Sequence, residues 1–177
     1  HPFDPNCANA KSIESAVREK LKTPEGNLDK DTLRSVKKLK LGTRGLQDLI
    51  SISANLPGLK NLDLNTNAIA ELTPLASLLK LEKLNLNTNN ISRLNPLSEL
   101  TELERLSLNN NQITNLKPLA KLEELEQLSL NTNIISDLTP LENLNELEEL
   151  HLSTNLITEL GPLSGLTELK ELSLNKN

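Results

Sequence analysis

The chain has 177 residues, 19 Lys and Arg against 24 Asp and Glu, and a formal net charge of −5. That balance excludes general nucleic-acid binding, which needs a basic surface to neutralise phosphates and release counterions. No stretch reaches the ~18 apolar residues of a membrane-spanning helix, and with one Phe and no Tyr, Trp or Met the core must be built from Leu and Ile in repeated roles.

In chain order, the first residues carry the single cysteine, Cys7, which cannot close an intrachain disulfide and stands in no Cys/His metal spacing. His1 stands where an initiator Met would, which reads as a processed or trimmed start compatible with export. Ile13, Ala16, Val17 and Leu21 fall at helical spacing in KSIESAVREKL, and the segment PEGNL breaks that helix. Asp29 is placed as the N-cap of a second short helix that carries Leu33 and Val36 inward. Residues 1–37 are therefore expected to form a helical cap on residues 38–177, the two making one structural domain.

The rest is repetition. Asn67, Asn89, Asn111, Asn133, Asn155 and Asn177 stand 22 residues apart, a period that signals a solenoid. Around each Asn runs L-x-x-L-x-L-x-x-N-x-I, the leucine-rich-repeat pattern, continued by L-x-P-L-x-x-L. In Leu84-Asn85-Leu86 the alternation is that of a short strand with Leu inward and Asn outward. Asn89 then ends the strand by bonding to turn backbone that would otherwise be unpaired. Pro96 begins a return leg whose Leu94, Leu97 and Leu100, at three-residue spacing, predict irregular or 3₁₀ turns. The expected fold is an α/β leucine-rich-repeat solenoid with a curved, parallel, concave β-sheet and an irregular or 3₁₀ convex side. Upstream the pattern decays. Val36, Leu39, Leu41, Leu46 and Leu49 fit a first coil, but Leu39 to Leu62 spans 23 residues and Arg44 occupies the ladder position. Downstream, LKELSLNKN stops at the ladder Asn, so an open sheet edge with Leu172 and Leu174 partly exposed is expected, a route to end-to-end self-association.

The 22-residue length, the ISDLTPLENL type of return segment and the string FDPN…AVREKLKTPEGNLDKDTL ahead of the first strand resemble the bacterial internalin-like, or SDS22-like, leucine-rich-repeat proteins over essentially the whole chain. The resemblance implies an exported or surface-associated protein that presents its concave sheet to a protein partner. Internalin-type proteins usually carry an immunoglobulin-like cap and an anchor after the repeats, and aromatics on the binding face; neither stands in this sequence.

The outward strand positions are the default binding surface. They are Lys38 and Lys40; Asn61, Asp63 and Asn65; Lys83, Asn85 and Asn87; Arg105, Ser107 and Asn109; Gln127, Ser129 and Asn131; Glu149, His151 and Ser153; and Glu171, Ser173 and Asn175. Their charge runs from basic to acidic along the repeats, which would orient a partner of complementary charge. Lys83, Asn85, Arg105, Ser107, Gln127, Ser129, Glu149 and His151 are taken as the candidate contact set, with Arg105 foremost because Arg is favoured at interface hot spots. His151 has no second His or Cys at a ligand spacing, so no metal is assigned to it. The row Thr66, Thr88, Asn110, Thr132, Thr154 and Lys176 resembles the hydroxyl ranks of ice-binding solenoids, but small polar residues are expected at such a tight turn in any case. No catalytic constellation, phosphate loop or cofactor motif is found. The reading is therefore a non-catalytic, cofactor-free protein-recognition scaffold. An intracellular regulatory subunit of the SDS22 type, and an engineered or truncated scaffold, remain as alternatives.

Overall fold

The computed structural model describes Phe3, Asp4 and residues 9–177; Cys7 and His1 lie outside the described residues. Helix α1 (Ala10–Leu21) starts at Asn9, held at φ 66°. The Asn9 side-chain oxygen accepts from the backbone N–H groups of Gln47 and Asp48 at 2.9 and 3.1 Å, which fastens the start of the helix to the first coil. Ile13, Ala16 and Val17 form the buried face at the spacing the sequence predicts. Lys22, left-handed at φ 56°, ends α1, its N–H bonding back to the last turn. Helix α2 (Lys30–Ser35) is capped by Asp29, whose carboxylate accepts from the Thr32 N–H at 2.8 Å. The cap docks closely on the coil below it. A Cβ on Gly58 would lie 2.2 Å from the Arg34 carbonyl oxygen, so only glycine permits this approach.

From Lys38 onward each coil contributes one three-residue strand: β1 (Lys38–Lys40), β2 (Asn61–Asp63), β3 (Lys83–Asn85), β4 (Arg105–Ser107), β5 (Gln127–Ser129), β6 (Glu149–His151) and β7 (Glu171–Ser173). They form one parallel sheet in sequence order, each strand in register with the next. The central leucines from Leu39 through Leu150 are at most 3 % exposed, whereas Leu172 on β7 is 41 % exposed. Within one coil Leu84, Leu86, Ile91, Leu94, Leu97, Leu100 and Leu103 all point inward, and the coils stack these side chains into one continuous core.

The return legs are 3₁₀ turns at Thr73–Ser77, Asn95–Leu97, Lys117–Leu119, Thr139–Leu141 and Gly161–Leu163, each with Pro at one of its first two positions. Proline fits there because an opening residue of a helical turn needs no internal N–H donor. The first coil differs: its return is a true α-helix, α3 (Ile50–Asn55). Its apolar residues Leu49, Ile52 and Leu56 fall at spacings of three and four, the helical period, where later coils keep strict threes.

The Asn ladder accounts for the backbone groups inside the turn. The Asn89 amide nitrogen donates to the carbonyls of Leu64, Leu86 and Asn87 at 3.1, 3.1 and 3.3 Å, and its oxygen accepts from the Ile69 N–H at 3.0 Å. Each ladder Asn thus bonds both its own coil and the preceding one. At the degenerate first coil Asn67 serves two donors, the N–H groups of Arg44 and Leu46, at 3.1 and 2.9 Å. Arg44, with no ladder amide of its own, turns its guanidinium toward Glu19 of α1 at 3.6 Å.

Candidate binding face

Because the strands are in register and the coil length is constant, outward side chains line up in rows across the sheet. The first row reads Lys38, Asn61, Lys83, Arg105, Gln127, Glu149 and Glu171; the second reads Lys40, Asp63, Asn85, Ser107, Ser129, His151 and Ser173. At roughly 4.8 Å between neighbouring strands each row is about 29 Å long. The eight candidate residues form the middle of these rows, on β3 to β6. Arg105 is exposed, and Lys83, Asn85, Ser107, Gln127, Ser129, Glu149 and His151 are half-buried by their neighbours.

The third outward row behaves differently from the sequence expectation. Asn87, Asn109 and Asn131 turn their side-chain oxygens along the solenoid to accept from the N–H groups of Asn109, Asn131 and Ser153 at 2.7, 2.7 and 2.8 Å. These amides are a second structural ladder rather than free contact groups. The sheet alternation that marks them as outward carries no information about this commitment.

The basic end is open. Lys38, Lys40, Lys83 and Arg105 surround a groove of about 240 Å³ over β1 to β4. Lys83 and Arg105 have carboxylates at 3.9 Å, from Glu104 and Glu126, each on the edge of the next coil. Contacts that long between half-exposed groups leave both cations available to a partner. Asp63 lies within this region but is engaged, accepting from the Asn65 backbone and side chain at 3.1 and 2.6 Å.

The acidic end carries an arrangement the sequence reading passes over. His151 lies between Glu149 and Glu171, its ring nitrogens 4.0 and 3.9 Å from their carboxylates. Gln127 donates to Glu149 at 2.8 Å, and the Ser173 hydroxyl lies 3.2 Å from His151 Nδ1. A search for paired His or Cys misses this group. The recoverable signal is Glu at −2 and at +20 from the histidine, the offsets set by the strand period and the 22-residue coil. Beside it, Lys170 bonds Glu148 at 2.6 Å, and that hydrogen bond raises the lysine pKa above its ordinary value.

At the rim, Thr43, Thr66, Thr88, Asn110, Thr132, Thr154 and Lys176 all have positive φ, between 53° and 61°. The row with hydroxyl character is thus the left-handed turn residue of every coil. Its regularity follows from the backbone.

A sequence profile described as Leucine Rich repeats (2 copies) matches residues 101–143. No curated protein sequence matches the chain. Among solved structures, an internalin (InlF) from Listeria monocytogenes superposes with a TM-score of 0.72 at 28% identity, over 89% of this chain and 54% of that one. The chain thus spans about half of that internalin. Internalin C2 from the same species gives a TM-score of 0.71 at 29% identity, over 92% of both chains. The Arabidopsis receptor kinase HAESA, in complex with a peptide hormone and a co-receptor, gives 0.71 at 25% identity, over 85% of this chain and 27% of that one. In coil, register and Asn ladder, this chain has the fold of a leucine-rich-repeat solenoid and is internalin-like in architecture.

Proposed function

We propose that the chain is a non-catalytic recognition scaffold of an exported or surface-associated bacterial protein, binding a protein partner through its concave face. The observation that carries this reading is the pair of aligned rows, graded from Lys38, Lys40, Lys83 and Arg105 at one end to Glu149 and Glu171 at the other. A rigid face about 29 Å long with graded charge suits an extended surface of opposite polarity better than a small molecule. The internalin-like architecture supports export, and the receptor-kinase complex shows that a similar solenoid is found with peptide and protein partners.

Site-specific photo-crosslinkers at Ser129 on the concave sheet and at Glu123 on the convex side identify the partner and the face together. With that partner purified, Lys83→Glu combined with Arg105→Glu is expected to weaken binding by tenfold or more, about 1.4 kcal/mol, while Tm stays near that of the parent. A partner that crosslinks from Glu123 and ignores substitutions in both rows overturns the proposal.

A further inference from the structure

Glu149 and Glu171 occupy equivalent positions on adjacent parallel strands. Like charges directly across neighbouring strands destabilise a sheet. Among the described residues, the side chain that faces both carboxylates is His151, at 4.0 and 3.9 Å, and Lys170 is spent on Glu148. One ligand atom from each of Glu149, His151 and Glu171 lies within 4.8 Å of the other two.

We propose that Glu149, His151 and Glu171 form a binding site for one divalent transition-metal ion of the zinc class. An imidazole nitrogen with two carboxylate oxygens suits such an ion better than calcium or magnesium, which favour all-oxygen sets. The supporting contacts are in place. The Gln127 amide holds one oxygen of Glu149 and leaves the other facing the ring, and Ser173 steadies the imidazole from its Nδ1 side. Partners of this kind orient metal ligands and raise affinity. Bonds of about 2.0–2.2 Å bring ligand atoms closer together than they stand here. The glutamates can close that gap by rotating, since the Glu171 side chain is 62% exposed, while the strands stay fixed. Three protein ligands leave positions on the ion for water. The site shares Glu149, His151 and Glu171 with the acidic end of the proposed binding face, but Zn²⁺ binding to the isolated chain tests it without a partner.

Zn²⁺ is titrated calorimetrically into the full chain and into three variants, His151→Ala, Glu171→Gln and Glu148→Gln, each checked for its fold by circular dichroism. All four retain His1 and Cys7, so differences among them read the proposed site. The expected result is saturable binding of one Zn²⁺ in the parent and in Glu148→Gln, weakened by about tenfold or more in the other two, at least the loss seen when supporting residues of a metal site are removed. Zn²⁺ should also raise the Tm of the parent more than that of His151→Ala. The proposal is overturned if the parent does not bind, if His151→Ala and Glu171→Gln bind as the parent does, or if Glu148→Gln loses as much as they do. The last result would assign the ion to the acidic surface at large.

Discussion

At the scale of single residues, two positions in each coil determine how the chain turns the corner after its strand. Asn89 is 7 % exposed and makes four hydrogen bonds that join two coils. Asn89→Ala leaves those backbone groups unpaired in the interior and is expected to cost about 2–4 kcal/mol in urea denaturation, more than a typical point substitution. Asn177→Ala, at an exposed position of the last coil, should cost less. Where the residue before a ladder Asn is Thr, it works against its own backbone. Thr88 sits at φ 56°, a conformation costly for a β-branched residue and tolerated by Asn. Thr88 is exposed and its N–H bond to Asn109 belongs to the backbone, so Thr88→Asn is expected to raise stability by up to about 1 kcal/mol. Asn110 already fills the equivalent place in the next coil. The ladder Asn was legible from period alone. The left-handed Thr was not, because its propensity points elsewhere and the backbone of the coil overrides it.

At the scale of elements, helix signals in the sequence led to the right places. Asp29 caps α2 as its position before an apolar-periodic run predicts. The hydrogen bond from the Thr32 N–H is the first cause that holds its carboxyl below the ordinary carboxylate range. A depressed folded value means that the cap stabilises α2 at neutral pH and that its contribution is lost as pH falls through that lowered value. Thermal melts of Asp29→Ala should therefore lie below those of the parent at pH 7, and the two should converge as the solution becomes strongly acidic. A constant gap across the titration would refute a charged cap. The α-helical return α3 departs from the 3₁₀ turn that the other coils form in its place. Leu49, Ile52 and Leu56 carry the helical period, but the return segments of the later coils suggest 3₁₀ for all. The two backbones differ by one hydrogen-bond step, and a stretch this short settles on whichever spacing its neighbours accommodate.

At the scale of the molecule, stability is a sum over neighbouring coils, so a whole coil is the natural unit of change. Deleting residues 104–125 removes one complete period of 22 and rejoins identical positions. This variant is expected to fold with a single urea transition and a smaller m-value, in proportion to the surface removed. Deleting 21 residues instead displaces every later Leu and Asn from its row, and is expected to abolish cooperative unfolding. Equal behaviour of the two deletions would contradict a core set by coil register. The sequence by itself determined the coil, the sheet order and the inward leucines, because a constant period with one apolar frame leaves a single way to stack. It also determined which side chains face outward, since alternation along a strand is local. Tertiary structure alone decided what those side chains do there. Residues 22 apart become neighbours only when coils stack, and that stacking commits Asn87, Asn109 and Asn131 to the backbone, leaves Lys83 and Arg105 available, and brings His151 between Glu149 and Glu171.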